Sequence, residues 1–400
     1  MNILDTLSFG KIVQLREVLL KAQAAGKKVY RFESGDPSFS IAPHALAGLQ
    51  AAAAAGKTHY IPNAGIPELR RAIRDKLERK NAIRVPSEEN IFVTNGAMHA
   101  LFAAFQCVLS EGDEVIVPDP MWTEVVENIK LARGVPVAVA LRAANDYQYA
   151  PSDIEAALTP RTRVIFLNTP HNPTGAVLSR ETLGEILQVA RRRNLLVVSD
   201  EAYEDVIYEP HMHHSIGSLA PDYQDNVISV FSFSKSHAMS GLRVGYLVST
   251  APQVMDRLQK VLRCSINGVN SVAQWTALAA LQGDESHLAG MRAEYAKRRD
   301  IMFEALSGIQ GLRPFYPHGA FYIWAELDRS LYARLGCANA DEVSSKLASM
   351  GIGSAPGEAF GSLCHDAIRF AFSCSTEMIQ EGAPVLRSAL LASLPLRGRT

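Results

Sequence analysis

Short apolar runs recur along the chain and alternate with segments of helical period. Ile91-Phe-Val-Thr94, Glu114-Val-Ile-Val-Pro118, Arg163-Val-Ile-Phe-Leu-Asn168, Leu195-Leu-Val-Val-Ser-Asp200 and Val227–Phe231 read as strands of the buried type. Helices are predicted between them. One covers 10–30, with Ile12, Leu15, Val18 and Leu19 on one face; others run over Pro43–Ala55, from Pro67 onward, from Gly96 to Leu109 and over Ser179–Asn194. Strands alternating with helices across short loops predict βαβ units, hence a mostly parallel sheet with helices on both faces.

The rhythm changes after residue 250. Helices are predicted at Ala251–Val261, Asn270–Leu281 and Glu285–Leu306, the last with Arg292, Lys297, Arg298 and Arg299 on exposed faces. Strands at Ala320–Glu326 and Ala367–Ser373, with helices at Ala340–Met350 and Thr376–Leu391, predict a second, smaller domain. A chain of 400 residues exceeds one ordinary core. The expected fold class is α/β: a three-layer α/β/α large domain over 46–285, and a smaller α+β domain built from 1–45 and 286–400.

Composition narrows the function classes. The 48% hydrophobic and 20% charged residues suit an ordinary soluble globular protein, and a formal net charge of −1 leaves no footprint for nucleic acid or a membrane surface. The five cysteines are scattered, with no C-x-x-C pair, so neither a disulfide framework nor a zinc site is expected. His211, His213 and His214 read as an exposed loop rather than a metal site. No apolar run approaches the ~18 residues of a membrane span, and the first residues lack the signal-peptide pattern. A cytoplasmic protein is expected.

The candidate chemistry lies just beyond the strands. Lys235 sits among hydroxyls in Ser232-Phe-Ser-Lys-Ser236, at the carboxyl end of a strand, where open α/β sheets place their ligands. Asp200 follows four apolar residues and needs a positive partner if buried. Asn95-Gly96-Ala97-Met98 is a strand–turn–helix start whose free N–H groups suit a phosphate. Two prolines and Gly175 around Asn172 hold its amide in one direction. Trp122, at a strand end, suits either core packing or stacking on a flat ring. Gly35 permits close backbone approach, Tyr60 lies in a Pro/Gly loop, and Arg369 stands among apolar residues, where a guanidinium wants a carboxylate. The glycines 351, 353 and 357 do not form G-x-G-x-x-G, so no dinucleotide site is expected.

Together these residues supply what pyridoxal 5'-phosphate requires: a lysine for its aldehyde, an acid for its ring nitrogen, donors for its phenolic oxygen, a phosphate cup and a stacking partner. The chain resembles the class I/II aminotransferases of fold type I, and most of all the bacterial aspartate and aromatic aminotransferases. The resemblance rests on Ser34-Gly-Asp-Pro37, Tyr60-x-Pro-x-x-Gly65, Asn95-Gly-Ala-Met98, Asn172-Pro-Thr-Gly175, Asp200-Glu-Ala-Tyr203, Ser232-Phe-Ser-Lys235, Gly241-Leu-Arg-Val-Gly245, Pro356–Gly361 and Ile368-Arg-Phe370.

The resemblance implies roles. Lys235 holds the cofactor as a Schiff base and later carries the proton between Cα and C4′. Asp200 keeps the ring nitrogen protonated. Asn172 and Tyr203 donate to the phenolic oxygen, and Trp122 stacks on the ring. Ser232, Arg243 and the amides at Gly96, Ala97 and Met98 bind the phosphate. Tyr60 arrives from the neighbouring subunit of a homodimer. Arg369 grips the α-carboxylate, with Gly35 alongside. The implied reaction is ping-pong transfer of an amino group between an L-amino acid and a 2-oxo acid; the alternative on this fold is a pyridoxal-phosphate lyase, cyclase or oxidase. Side-chain preference stays open, with Lys11 and Arg142 as candidates by type for reading a second carboxylate.

Overall fold

The computed structural model describes residues 2–8, 10–221 and 224–392. The outermost ends of the domain division expected above, residue 1 and 393–400, lie outside the described residues.

The large sheet has seven strands: β1 (Ile91–Thr94), β2 (Glu114–Asp119), β3 (Val135–Ala140), β4 (Thr162–Asn168), β5 (Leu196–Asp200), β6 (Val227–Ser232) and β7 (Gly245–Val248). Their spatial order is β1-β7-β6-β5-β4-β2-β3. All pairings are parallel except the two made by β7, so one reversed strand interrupts an otherwise parallel sheet. Every residue of β1, β2, β6 and β7 is buried, as expected for strands covered on both faces.

A second sheet holds β8 (Leu312–Pro314), β9 (Tyr322–Leu327), β10 (Ala355–Pro356) and β11 (Ala367–Ala371), in the order β10-β11-β9-β8 and wholly antiparallel. Its core is continuous with the helices Ser286–Leu306 and Thr376–Leu391, through Tyr295, Met302, Phe370 and Leu386. The amino-terminal segment joins this side: Tyr30 bridges Ile352, and Ala371 N–H donates to Phe32 O at 2.6 Å.

Helix starts follow local chemistry. Ser179 caps Arg180–Arg193 by accepting from Thr182 N–H, and Asn270 caps Ser271–Gln282 by accepting from Ala273 N–H. Pro43, Pro67 and Pro252 each begin a helix, where their missing N–H is no loss.

Three readings are corrected. The first helix is shorter than predicted, Lys11–Ala24, and Gly26 at φ 78° lies beyond its end. β3 and β7 went unread, because Val135–Ala140 is a half-exposed edge strand and β7 is only four residues long. Arg298 and Arg299 are buried, not exposed. Arg298 lies 4.6 Å from the Phe39 ring and donates to Thr376 and Ser38, while Arg299 sits between the rings of Tyr208 and Tyr316. Guanidinium faces that stack on aromatics tolerate burial.

Candidate active site

β5 and β6 run parallel, with Asp200 opposite Val230, so the carboxyl ends of both open on one edge of the sheet. After β6 the chain turns into a single helical turn, Phe233–Ser236, capped by Ser232 Oγ, which accepts from Ser234 N–H at 3.1 Å. That turn presents Lys235 to a cavity of ≈ 440 Å³. Lys235 Nζ donates to Gly35 O at 2.7 Å and lies 5.7 Å from the rings of Tyr203 and Phe321. Burial, with Arg369 and Arg243 nearby, lowers its pKa to about 8, against the opposing pull of Asp36 and Asp200.

Asp200 lines the same cavity. Its Oδ1 accepts from Ala202 N–H at 3.1 Å, and among the described residues nothing donates to Oδ2. Burial raises its pKa to about 6, the neighbouring Glu201 adding to the rise. The segment that carries it is tied down by buried charges on its far side. Glu201 pairs with His213 and Ser215, Glu204 with Lys76 and Asn81, and Asp205 with Lys80. His213 is thus a half-buried partner of Glu201 rather than part of an exposed loop. Among the described residues no group of His, Cys, Asp and Glu could hold a metal ion.

The sheet edge also offers an anion cup. Gly96, at φ 79°, precedes the helix Ala97–Val108, and no described residue accepts from the N–H of Ala97 or Met98. A Cβ on Gly96 would meet Arg243 Nη2 at 2.5 Å, and one on Gly245 would meet Ala97 N at 2.7 Å. The missing side chains let the Arg243 guanidinium pack on Gly96 and the Gly245 backbone pack on the start of the helix. Arg243, at φ 57°, donates to Ser240 O at 2.8 Å, and Ser232, Ser234 and Arg243 all line the cavity.

The opposite wall is built by the second sheet. Arg369, in β11, is 1% exposed, donates through Nη1 to Asn172 Oδ1 (3.0 Å) and through Nη2 to Glu33 O (2.8 Å), and lies 4.3 Å from the Tyr322 ring. Its Nε has no partner. Its fork is thus held by an amide and a carbonyl, neither of which neutralises the charge. Because Asn172 spends its oxygen on Arg369, its NH₂ is left to donate elsewhere. Tyr203 and Tyr322 share a hydroxyl hydrogen bond of 2.8 Å, so Tyr203 is not free as expected. A Cβ on Gly35 would fall 2.2 Å from Tyr322 Oη, so only glycine lets this backbone pass between Lys235 and Tyr322.

Eleven of the sequence-predicted site residues line this one cavity: Gly35, Ala97, Met98, Trp122, Asn172, Asp200, Tyr203, Ser232, Lys235, Arg243 and Arg369. Gly96 stands beside it against Arg243. Tyr60 does not join them. It is 91% exposed and lines a separate hollow with residues 266–272. Lys11 and Arg142 are also elsewhere, paired with Glu358 and Asp153. Sequence reasoning missed Tyr322, Arg31, Arg16, Glu33 and Glu124 on the cavity wall. Only Glu33 had a signal, as the neighbour of Ser34-Gly-Asp-Pro37.

A lysine with a depressed pKa, an acid without a bonded cation and a helix start without an acceptor stand together at one sheet edge, and the chain as a whole is similar to known proteins. The description "Aminotransferase class I and II" matches residues 27–386. The chain belongs to the class I and II aminotransferases. It is 36% identical over 374 residues to the probable aspartate/prephenate aminotransferase of Thermus aquaticus, covering 93% of this chain and 94% of that one. The aspartate aminotransferase structure from Rhizobium meliloti superposes with a TM-score of 0.93 at 27% identity, covering 98% of this chain and 99% of that one. The alanine aminotransferase structure from Pyrococcus furiosus gives 0.91 at 28%, with the same coverage. This aminotransferase moves an amino group between an amino acid and a 2-oxo acid. These relatives are named for different substrates: aspartate, aspartate or prephenate, and alanine.

Proposed function

We propose that the cavity holds pyridoxal 5'-phosphate on Lys235 and carries out transamination by a ping-pong route. The observation that carries this reading is the Lys235 amine, buried with its pKa lowered to about 8 in one cavity with the uncompensated Asp200. The residues present fit the group: among the described residues Asp200 has no bonded cation and the first amides of helix Ala97–Val108 have no acceptor, and the Arg243 guanidinium packs against Gly96 at that helix start.

In this reading Ser232, Arg243 and the Ala97 and Met98 amides bind the phosphate, Trp122 covers the ring, and Asn172 donates to its phenolic oxygen. Tyr203 can donate to the same oxygen while its Oη accepts from Tyr322. When bound, the cofactor supplies an electron sink for the pair left at the substrate Cα. Asp200 holds the positive charge at the ring nitrogen, a charge-assisted contact in a site sheltered from water. Arg369 binds the substrate α-carboxylate through its fork, with Gly35 backbone alongside. Lys235 Nζ takes the proton from Cα, a role suited to an amine whose pKa lies near neutrality.

The exposed Tyr60 supports a homodimer in which it completes the site of the neighbouring copy. The bridge of Tyr30 to Ile352 supports grouping residues 1–45 with 286–400, apart from 46–285. No helix among the described residues is long and apolar enough to cross a membrane, and the five cysteines are unpaired; both fit the cytoplasm.

The test is to add pyridoxal 5'-phosphate to purified protein, follow the imine absorption band, trap it with borohydride and map the labelled peptide. The label is expected on Lys235. No band, or a label on another lysine, overturns the reading.

A further inference from the structure

Tyr322 lines the cavity, yet the reading above gives it no contact with cofactor or substrate. It lies in β9, two positions before Trp324, which pairs with Arg369 across the small sheet; Tyr322 and Arg369 therefore share one face. The Arg369 guanidinium lies 4.3 Å from the centre of the Tyr322 ring. The Gly35 backbone passes against the phenol oxygen and leaves no room there for a Cβ. The side chain is buried, so its hydroxyl is held in one place.

That hydroxyl meets Tyr203 Oη at 2.8 Å, and among the described residues neither oxygen has another hydrogen-bond partner. Two directions of donation fit the distance, and they send the Tyr203 proton to different places. With Tyr203 as donor, its proton is used inside the wall, and the Tyr322 proton has no acceptor among the described residues. With Tyr322 as donor, its proton rests on Tyr203, and the Tyr203 proton is free to enter the cavity. Only the second direction gives both protons an acceptor once an anionic oxygen stands before Tyr203. Charge favours the same direction, because a cation over the Tyr322 ring makes its hydroxyl the readier donor. Burial raises the pKa of both phenols, and Arg369 opposes that rise at Tyr322. A phenol that accepts one hydrogen bond also donates its own more strongly.

We propose that Tyr322 is a positioning residue for the cofactor: it donates to Tyr203 and so aims the Tyr203 proton at the phenolic oxygen. The inference rests on the cofactor reading above, which places that oxygen before Asn172 and Tyr203. Arg369 then acts on both donors at once. Its Nη1 occupies the Asn172 oxygen, and its charge over the Tyr322 ring sets the direction of the tyrosine pair.

The experiment is a pH titration of the imine band in cofactor-loaded protein, wild type against Tyr322→Phe. The substitution removes the hydroxyl and keeps the ring beneath Arg369. A donor at the phenolic oxygen draws negative charge away from the imine nitrogen, so weakening that donor makes the imine hold its proton more tightly. The Tyr322→Phe band is expected to titrate about half to one pH unit higher, the size of a weakened hydrogen bond. Tyr203→Phe alone is expected to shift it at least as far. Adding Tyr322→Phe to Tyr203→Phe should then move the band by less than about 0.2 pH unit, because the effect passes through Tyr203. Turnover should follow, with kcat of Tyr322→Phe down roughly threefold to tenfold and KM for the amino acid changed less than about twofold. A Tyr322→Phe titration that moves to lower pH shows Tyr203 donating to Tyr322 and overturns the inference. So does an unmoved titration, an undiminished shift in the Tyr203→Phe background, or a change confined to KM. No imine band in the wild-type protein defeats the cofactor reading and this inference with it.

Discussion

The two walls of the cavity are built on different plans. The sheet-edge wall, with Lys235, Asp200, Ser232 and the Ala97–Met98 amides, comes from neighbouring strand ends and one helix start. Its groups are left unmatched: a carboxylate without a cation, amides without an acceptor. The facing wall, with Arg369, Glu33, Tyr322 and Gly35, draws on the amino-terminal segment and the small sheet, and its groups are largely matched to one another. An unmatched wall suits a ligand that stays, since the bound group completes it once. A matched wall suits ligands that come and go, because the vacated site satisfies most of its own polar atoms between visits. Arg369 Nε, Glu33 Oε2 and Glu124 Oε2 are exceptions, buried and without a partner among the described residues.

That contrast can be broken by substitution. The largest effect is expected at Lys235→Ala, which removes both the cofactor anchor and the base; steady-state turnover should fall by about 10⁴-fold or more. Normal transamination by this variant would sink the comparison. Asp200→Ala leaves the ring-nitrogen charge unmatched, and about 10²–10³-fold in kcat is expected to go, corresponding to the ~3–5 kcal/mol of a broken buried pair. Cofactor titration by absorbance should show weaker retention in the same variant. On the facing wall, Arg369→Ala is expected to act mainly on KM for the amino acid, with kcat/KM down about a hundredfold and some loss of kcat. Cofactor retention should barely change, and an unchanged kcat/KM would show that another group holds the carboxylate. Gly35→Ala forces a methyl towards Tyr322 Oη and shifts the carbonyl that accepts from Lys235. About a tenfold loss of kcat is expected from a displacement of this size.

The smallest effect sharpens the comparison through pH. The Lys235 amine reacts only when neutral, and its pKa in the unliganded protein is lowered to about 8. The rate of cofactor loading, followed by the imine band, should rise about tenfold between pH 7 and 9 and level off above about pH 9. A loading rate that climbs only above pH 10 would mean that Lys235 is solvated like an ordinary surface lysine.

How much was legible beforehand divides along the same line. The sheet-edge wall was read nearly whole, because each of its parts follows an apolar strand within a few residues. Lys235 follows Val227–Phe231, Asp200 follows Leu195–Val198, and Gly96 follows Ile91–Thr94. The facing wall was read only at Arg369 and Gly35. Tyr322 looked like a strand residue of the second sheet, and Arg16 and Arg31 like solvated cations. The exposure expected for Arg298 and Arg299 failed because the aromatic rings that cover them, Phe39, Tyr208 and Tyr316, are distant in sequence.

The sequence by itself determined the strand–helix rhythm, the parallel sheet with its ligand edge, and the residue types placed on that edge. These follow from local periodicity and from the rule that such sheets open at their strand carboxyl ends. Only the tertiary structure decided what faces that edge. It set Arg369 against Asn172, 197 positions away in the chain, and passed Gly35 between Lys235 and Tyr322. It brought Glu124 and Tyr322 to the same cavity and left Tyr60 outside it. Contacts between segments hundreds of residues apart are fixed by how two cores pack, and no local pattern records that packing.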